Sequence, residues 1–403
     1  MRVQLSVALR VAVSLLLLFA LLHLARAAHA DDVKPPNVDR PLDVHMESEL
    51  AAYQDTTATT VLTPSISGTV SNPTQGWSIG GNYLVDVVSA ASPDIISTAS
   101  RRWEEVRNAG SVSGSYKPGN LGGAAVVAVS STPDYLSLNA GGQIFGDLDS
   151  KNLTLLGGYS FGHDVIGRTG TSFSVFSHQL DIHSLTASAT RVINPRLVFT
   201  GIADMVIERG DQSKPYRYIP LFSPSVAPLI PRAASAALVA ADRSQLKPLE
   251  QLPLGRERYA LTGRLAYRFA SSTLRAEERV YLDSWGQPAS TTDLRYLADV
   301  SRRVRLGPHV RFNIQGPVSF WQRAYVTTGN NEVPALRTGD RELGSLATVT
   351  GGGSVRWAVG PQGDLDAWAM SLTADVAYTN FFNALYIGDR LAALSAFTLE
   401  RNF

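Results

Sequence analysis

From Met46 to its last residue the chain repeats one pattern, in which apolar and polar side chains alternate until turn chemistry ends each stretch. Alternation with a period of two belongs to β-strands that keep one face in oil and the other in water. In the final stretch, Leu391 to Phe403, the residues Leu391, Ala393, Phe397, Leu399 and Phe403 share one face, and Ala392, Thr398, Glu400 and Asn402 share the other. Such a strand is long enough to cross a bilayer at a tilt. Arg401 falls on its apolar side near the end, where a long side chain can reach the headgroups.

The pattern recurs through the chain. Trp77, Ile79, Tyr83, Val85 and Val87 alternate with Ser78, Asn82 and Asp86. Further on, Tyr259, Leu261, Leu265, Tyr267 and Phe269 alternate with Arg258, Thr262, Arg264 and Arg268, and Leu274, Val280 and Leu282 with Arg275, Glu277, Arg279 and Asp283. Leu294, Tyr296 and Val300 oppose Asp293, Arg295, Asp299 and Arg303. Val310, Phe312, Ile314, Val318 and Phe320 oppose Arg311, Asn313, Gln315 and Arg323, and Trp368, Met370, Leu372, Val376 and Tyr378 oppose Ser371, Thr373 and Asp375. A soluble sandwich also alternates, but here aromatics gather near strand ends, as in an interfacial girdle.

The connections add an independent constraint. Short turns around Asn72, Pro118, Asp149, Pro195, Ser271, Gly307 and Pro361 take turns with long loops at Ala91–Arg101, Asp164–Gln179, Gly210–Arg256, Val326–Gly344 and Phe382–Arg390. Long on one side and short on the other describes an all-β, antiparallel, up-and-down transmembrane barrel with short periplasmic turns and long extracellular loops. The count is about sixteen strands, which needs a short first strand at Met46–Asp55 and a tight turn at Ser131–Asp134; without them it is about fourteen.

Residues 1–30 read as a cleaved secretory signal peptide: Arg2 and Arg10, an apolar run from Val11 to Leu22, and Ala28-His29-Ala30 as the cleavage site. Residues 31–45, with Pro35, Pro36 and Pro41, read as a short periplasmic tail, and residues 46–403 as the barrel. Loop 210–256 is too long to be structureless in a compact domain. Its Ala233–Asp242 segment can form a short helix after Pro231, and the loop either folds inward as a constriction or stands outside as a surface loop. The chain has no cysteine, hence no disulfide or thiolate metal site, and a net charge of +1 argues against a nucleic-acid partner.

Arginine at a bilayer midplane costs roughly 2–4 kcal/mol, so the charged faces belong inside. The expected pore-lining set is Arg258, Arg264, Arg268, Arg275, Arg279, Arg295, Arg303, Arg311, Arg323 and Arg356, with Glu277, Asp283, Asp293, Asp299 and Asp375 among them. These side chains either make a positive wall that favours anions or neutralise one another in cross-strand pairs. The first half supplies a smaller wall: Thr154, Gly158, Ser160, Thr186, Ser188 and Thr190. Asp86, Asp94, Asp134 and Asp164, with His163, fall near extracellular ends, where they could hold calcium, activate water or simply make turns. No His-Glu-x-x-His pair is present, and the serines near His178 and His183 (Ser172, Ser174, Ser177 and Ser184) are too many to single out a nucleophile, so no enzyme and no cofactor is expected.

At Trp77 to Asp94 (WSIGGNYLVDVVSAASPD), and again at Thr132-Pro133-Asp134-Tyr135, the chain resembles a family of bacterial outer-membrane proteins known as domain of unknown function 3570. The terminal Phe403 resembles the carboxy-terminal signal read by the barrel-insertion machinery. The resemblance implies a barrel in the outer membrane of a Gram-negative bacterium and brings no activity, ligand or catalytic residue with it. The expected role is a pore or transport component for small polar solutes, anions among them. The alternatives are a non-conducting barrel for adhesion or assembly, or a barrel enzyme with a rim site. Expected partners are outer-membrane lipid, the insertion machinery and small solutes, with homo-oligomerisation left open.

Overall fold

The computed structural model describes residues 42–90, 103–327, 332–361 and 364–403. The signal segment, the tail up to Pro41, and Asp94 with its loop Ala91–Arg101 lie outside the described residues. In chain order the strands are β1 (Asp43–Asp55), β2 (Thr59–Asn72), β3 (Trp77–Ala90), β4 (Trp103–Tyr116), β5 (Leu121–Thr132), β6 (Tyr135–Leu148), β7 (Leu153–Ile166), β8 (His178–Asn194) and β9 (Leu197–Gly210). Then follow β10 (Leu221–Phe222), β11 (Gly255–Arg268), β12 (Ser272–Asp283), β13 (Pro288–Asp299), β14 (Val304–Gln315), β15 (Tyr325–Val326), β16 (Leu346–Ala358), β17 (Trp368–Phe381) and β18 (Asp389–Asn402). Among the described residues one α-helix, α1 (Ala236–Asp242), lies between β10 and β11.

All strands but β10 and β15 form one closed, sixteen-stranded barrel in which sequence neighbours are hydrogen-bonded neighbours. The ring closes where β1 pairs antiparallel with β18, from His45 opposite Asn402 to Asp55 opposite Ala392. A fourteen-residue strand tilted at about 40° rises about 35 Å, enough to cross the apolar band and leave both rims in water. The expected first strand and the turn near Ser131 are both present, β1 beginning at Asp43, inside the stretch read as tail.

The pleat sorts the side chains as the alternation requires. Ile79, Val112, Val127, Ile144, Leu261, Val280, Leu294, Leu372 and Phe397 stand exposed on the outer wall. Exposure on this scale suits only a protein whose surroundings are themselves apolar. Arg401 stays on the outer face near the short-turn rim, with its guanidinium 4.4 Å from the Trp368 ring and 4.3 Å from the Phe403 ring. The flat cation is thereby covered by aromatic faces.

Turns follow local chemistry. Asn72 accepts from the Gln75 N–H at 2.8 Å, and Gly76, at φ +77, lies against the Lys117 carbonyl where a Cβ would collide. Asp55 and Asp283 do the same work on two hairpins at the opposite end. Asp55 accepts from Tyr53 Oη at 2.7 Å and from the Thr57 and Thr59 N–H groups at 2.9 Å. Asp283 accepts from Tyr281 Oη at 2.9 Å and from the N–H groups of Trp285 at 3.0 Å and Gln287 at 2.9 Å. One expected turn moves: β13 and β14 are joined at residues 300–303, not at Gly307, which lies inside β14. Val318 and Phe320 do not extend that strand either, because β14 ends at Gln315.

Apolar cores lie at the long-loop end. Loop 211–254 packs Phe222, Ala227, Ile230, Ala234 and Val239 into one cluster, joined by Val326, Leu385 and Tyr386 from two other loops. Ile219 and Leu221 pack on Tyr325. Leu252, Trp285 and Val318 form a further cluster with Phe320 and Trp321. The two-residue strands β10 and β15 pair in parallel and stitch the two longest loops together. Helix α1 begins at Ser235, whose hydroxyl accepts from the Leu238 N–H at 3.2 Å, and it buries Val239 in the first cluster.

Candidate functional site

Residues paired across strands share a face, so the register fixes which side chains reach the lumen. Lining the interior of β9, β11 to β14 and β16 to β18 is an arc of charge. Arg264 Nε donates to Glu277 at 2.6 Å, Arg279 meets Asp204 at 3.2 Å, and Arg258 meets Glu208 at 2.9 Å. Arg268 and Arg305 share Asp299, at 2.8 and 2.7 Å. Arg295 pairs with Asp293 at 2.9 Å, and Arg356 lies 3.1 Å from both Asp366 and Glu400. His309 Nε2 meets Asp375 at 2.7 Å, across a position where only Gly352 leaves room for that carboxylate. At the long-loop end of this arc Arg256 Nε donates to the buried Asp283 at 2.7 Å. Half-exposed pairs of this kind contribute little each; the buried Arg256–Asp283 pair is costly to break.

Arg275 and Arg311 stand apart from the pairing. Both are exposed on the lumen face, and neither has an ion-pair or hydrogen-bond partner among the described residues. Arg275 lies directly opposite Arg295 in the β12–β13 register, a like-charge pair, and Arg311 lies opposite Asp293, which Arg295 already engages. Across the barrel the wall changes character. Ser78, Ser113, Ser115, Gly158, Ser160 and Thr186 border a recess of about 420 Å³ that carries no charged side chain.

Over this asymmetric lumen lies a cap. Loop 211–254 is tied at one side by Tyr216, whose hydroxyl donates to Asp134 in the β5–β6 turn at 2.9 Å. On the other side Arg232 donates to the Phe381 carbonyl at 2.8 Å and to Asn380 and the Gly388 carbonyl at 2.6 Å, and the Ala233 N–H to the Ala384 carbonyl at 3.0 Å. β5–β6 and β17–β18 lie six strands apart in the ring of sixteen, so the loop reaches across much of the mouth. Within the cap, Arg217 bridges Glu250 at 3.1 Å and Asp340 at 3.0 Å, and Thr338 Oγ1 donates to Glu250 at 2.7 Å. Burial alone would raise the Asp340 carboxyl, yet Arg217 and the Glu342 N–H hold it below the usual carboxylate range.

Of the expected lining set, Arg258, Arg264, Arg268, Arg275, Arg279, Arg295, Arg311, Arg356, Asp299 and Asp375 occupy lumen-facing strand positions. Two arginines do not. Arg303 belongs to the β13–β14 turn and donates to the carbonyls of Ala358 at 3.1 Å and Gly360 at 2.8 Å. Arg323 belongs to loop 316–345 and donates to Asn383 at 2.6 Å. In both cases the strand ended before the alternation did. The acidic candidates are scattered: Asp86 pairs with Arg107 at 2.7 Å, Asp164 accepts from Tyr135 Oη at 2.6 Å, and Asp134 holds the cap. Among the described residues no three acidic or histidine side chains converge as a metal site. Reading alternation alone passed over Arg107, Asp204, Glu208, Arg305 and His309, although all follow the same parity once the strand ends are set.

Residues 53–375 match a family model described as "Protein of unknown function (DUF3570)". No curated protein matches the chain. Among solved structures, the siderophore receptor PirA from Acinetobacter baumannii is similar with a TM-score of 0.40 and 11% identity, over 85% of this chain and 53% of that one. PirA from Pseudomonas aeruginosa is similar with a TM-score of 0.44 and 11% identity, over 90% and 62%. The P. putida toluene transporter TodX is similar with a TM-score of 0.40 and 9% identity, over 91% of both chains. The chain thus spans about half the length of the first receptor and under two thirds of the second. At these identities and TM-scores the likeness carries no role over to this chain.

Proposed function

Because the chain belongs to the family described as Protein of unknown function (DUF3570), whose membership carries no activity, we propose a role from the lumen itself: an outer-membrane pore for small polar solutes, with its mouth narrowed by a folded cap. The observation that carries this reading is the wall under the cap, charged along one arc and hydroxyl-rich along the other. A barrel serving only as an anchor has no use for a polar interior of this extent. The unpartnered Arg275 and Arg311 give the passage its preference for anions, since most neighbouring acids are taken up by other cations. Phe403 serves as the insertion signal, and the long-loop end faces outward.

Planar-bilayer conductance of the refolded chain from Asp31 tests this. The intact protein gives small, anion-selective currents, and deletion of Pro220 to Lys247 enlarges them. A folded barrel that passes no current with or without that segment removes the pore reading. A second reading is favoured by the apolar core within the cap: a mouth sealed in this way suits a non-conducting barrel that presents its loops to a partner. Cation selectivity in the intact channel would contradict the role given to Arg275 and Arg311.

A further inference from the structure

One carboxylate stands on the wrong side of the wall. Glu278 lies midway along β12, exposed, between outward-facing Ala276 and Val280. Its register partners are Gly263 on β11 and Thr292 on β13, both on the outer face. Gly263 in turn lies midway between the outward rings of Tyr259 and Tyr267. By strand rise and tilt, Glu278 is then about 10 Å from either girdle, at the depth of the hydrocarbon centre. Among the described residues the other outward ionisable groups lie toward the rims, among them His163, Asp181, His183 and Asp389 at the long-loop end and Arg191 and Arg401 at the short-turn end.

The carboxylate is already engaged by its own strand neighbours. Ser290 Oγ and Thr292 Oγ1 each donate to one of its oxygens at 2.5 Å. The patch has therefore spent its donors and offers acceptors alone. Acyl chains provide no donor, and no headgroup reaches this depth, so only another polypeptide can complete it. Among the described residues the outer wall also holds the complement. Ser395, midway along β18, is exposed, points outward beside Ala52 and Ala374, and has no side-chain partner. Its small neighbours allow a second wall to approach closely.

We infer that Glu278, with Ser290 and Thr292, is the centre of a contact between copies of this chain, in which the Ser395 face of one copy donates to the Glu278 face of the next. The two faces lie about a quarter of the way around the ring from each other. Faces on opposite sides of a cylinder would generate open rows in the membrane, whereas faces at this angle let a small ring close.

The chain has no native cysteine, so introduced pairs report cleanly. With Leu294→Cys and Ala393→Cys together, oxidation in membranes is expected to give a ladder of disulfide-linked oligomers, and each single variant none. No ladder from the pair, or a dimer from Leu294→Cys alone, overturns the assignment. Light scattering in mild detergent provides the second measurement. The native chain runs as an oligomer, and Glu278→Leu, still folded by its heat-dependent gel mobility, associates at least tenfold more weakly. A native chain that is monomeric, with or without retained lipid, or a Glu278→Leu protein that assembles like the native one, also overturns it.

Discussion

At the scale of single residues, the two ends of the barrel are held by different devices. Asp283 is buried and satisfied by Arg256, Tyr281 and the N–H groups of its own hairpin. Asp283→Ala strands a buried guanidinium and two backbone donors, and is expected to cost about 3–5 kcal/mol in urea unfolding from lipid vesicles. Asp299→Ala, whose arginines face the wet lumen, is expected to cost about 1 kcal/mol or less by the same measurement. The sequence placed both aspartates on one parity but could not rank them. Asp283 begins a turn whose Trp285 packs on Leu252 and Val318, and those two residues come from distant loops. The same limit applies to Glu278: alternation puts Glu277 inside and Glu278 outside, but only the register shows Ser290 and Thr292 beside it.

At the scale of elements, strands and cap differ in how far they could be read beforehand. Strands announce themselves because each carries its own period, and the sixteen-strand count, the first strand and the tight turn after β5 follow from it. The cap carries no period. Its core is assembled from four connections, so Val318 and Phe320 read as more strand and Arg323 as more wall. α1 alone was legible there, from its alanines and the preceding proline. The cap's ionic centre gives a pH prediction. Asp340 titrates below the usual carboxylate range when folded, so its contribution is present above about pH 4 and is lost as the pH falls through the lower folded value. Limited proteolysis is therefore expected to cut loops 211–254 and 316–345 faster on acidification below about pH 4, with the barrel strands unaffected. Asp340→Asn is expected to show the faster cutting already at neutral pH.

At the scale of the whole molecule, an oily exterior, a polar interior and alternating short and long connections all state the same architecture, which is why fold was so much more legible than function. Function depends on whether the mouth is open, and that is decided by loop packing to which alternation is blind. A chain lacking β18 is expected to give no heat-modifiable folded species on gels, because β1 and β17 would both be left as open edges in lipid. The ring is sealed by hydrogen bonds such as that of His45 to Asn402, which join residues 357 positions apart. Contacts so distant along the chain make for a high contact order and a slow search. Nascent chain must therefore be kept from aggregating until its final residues have been delivered, and the time spent unfolded on the way is set by the last hairpin.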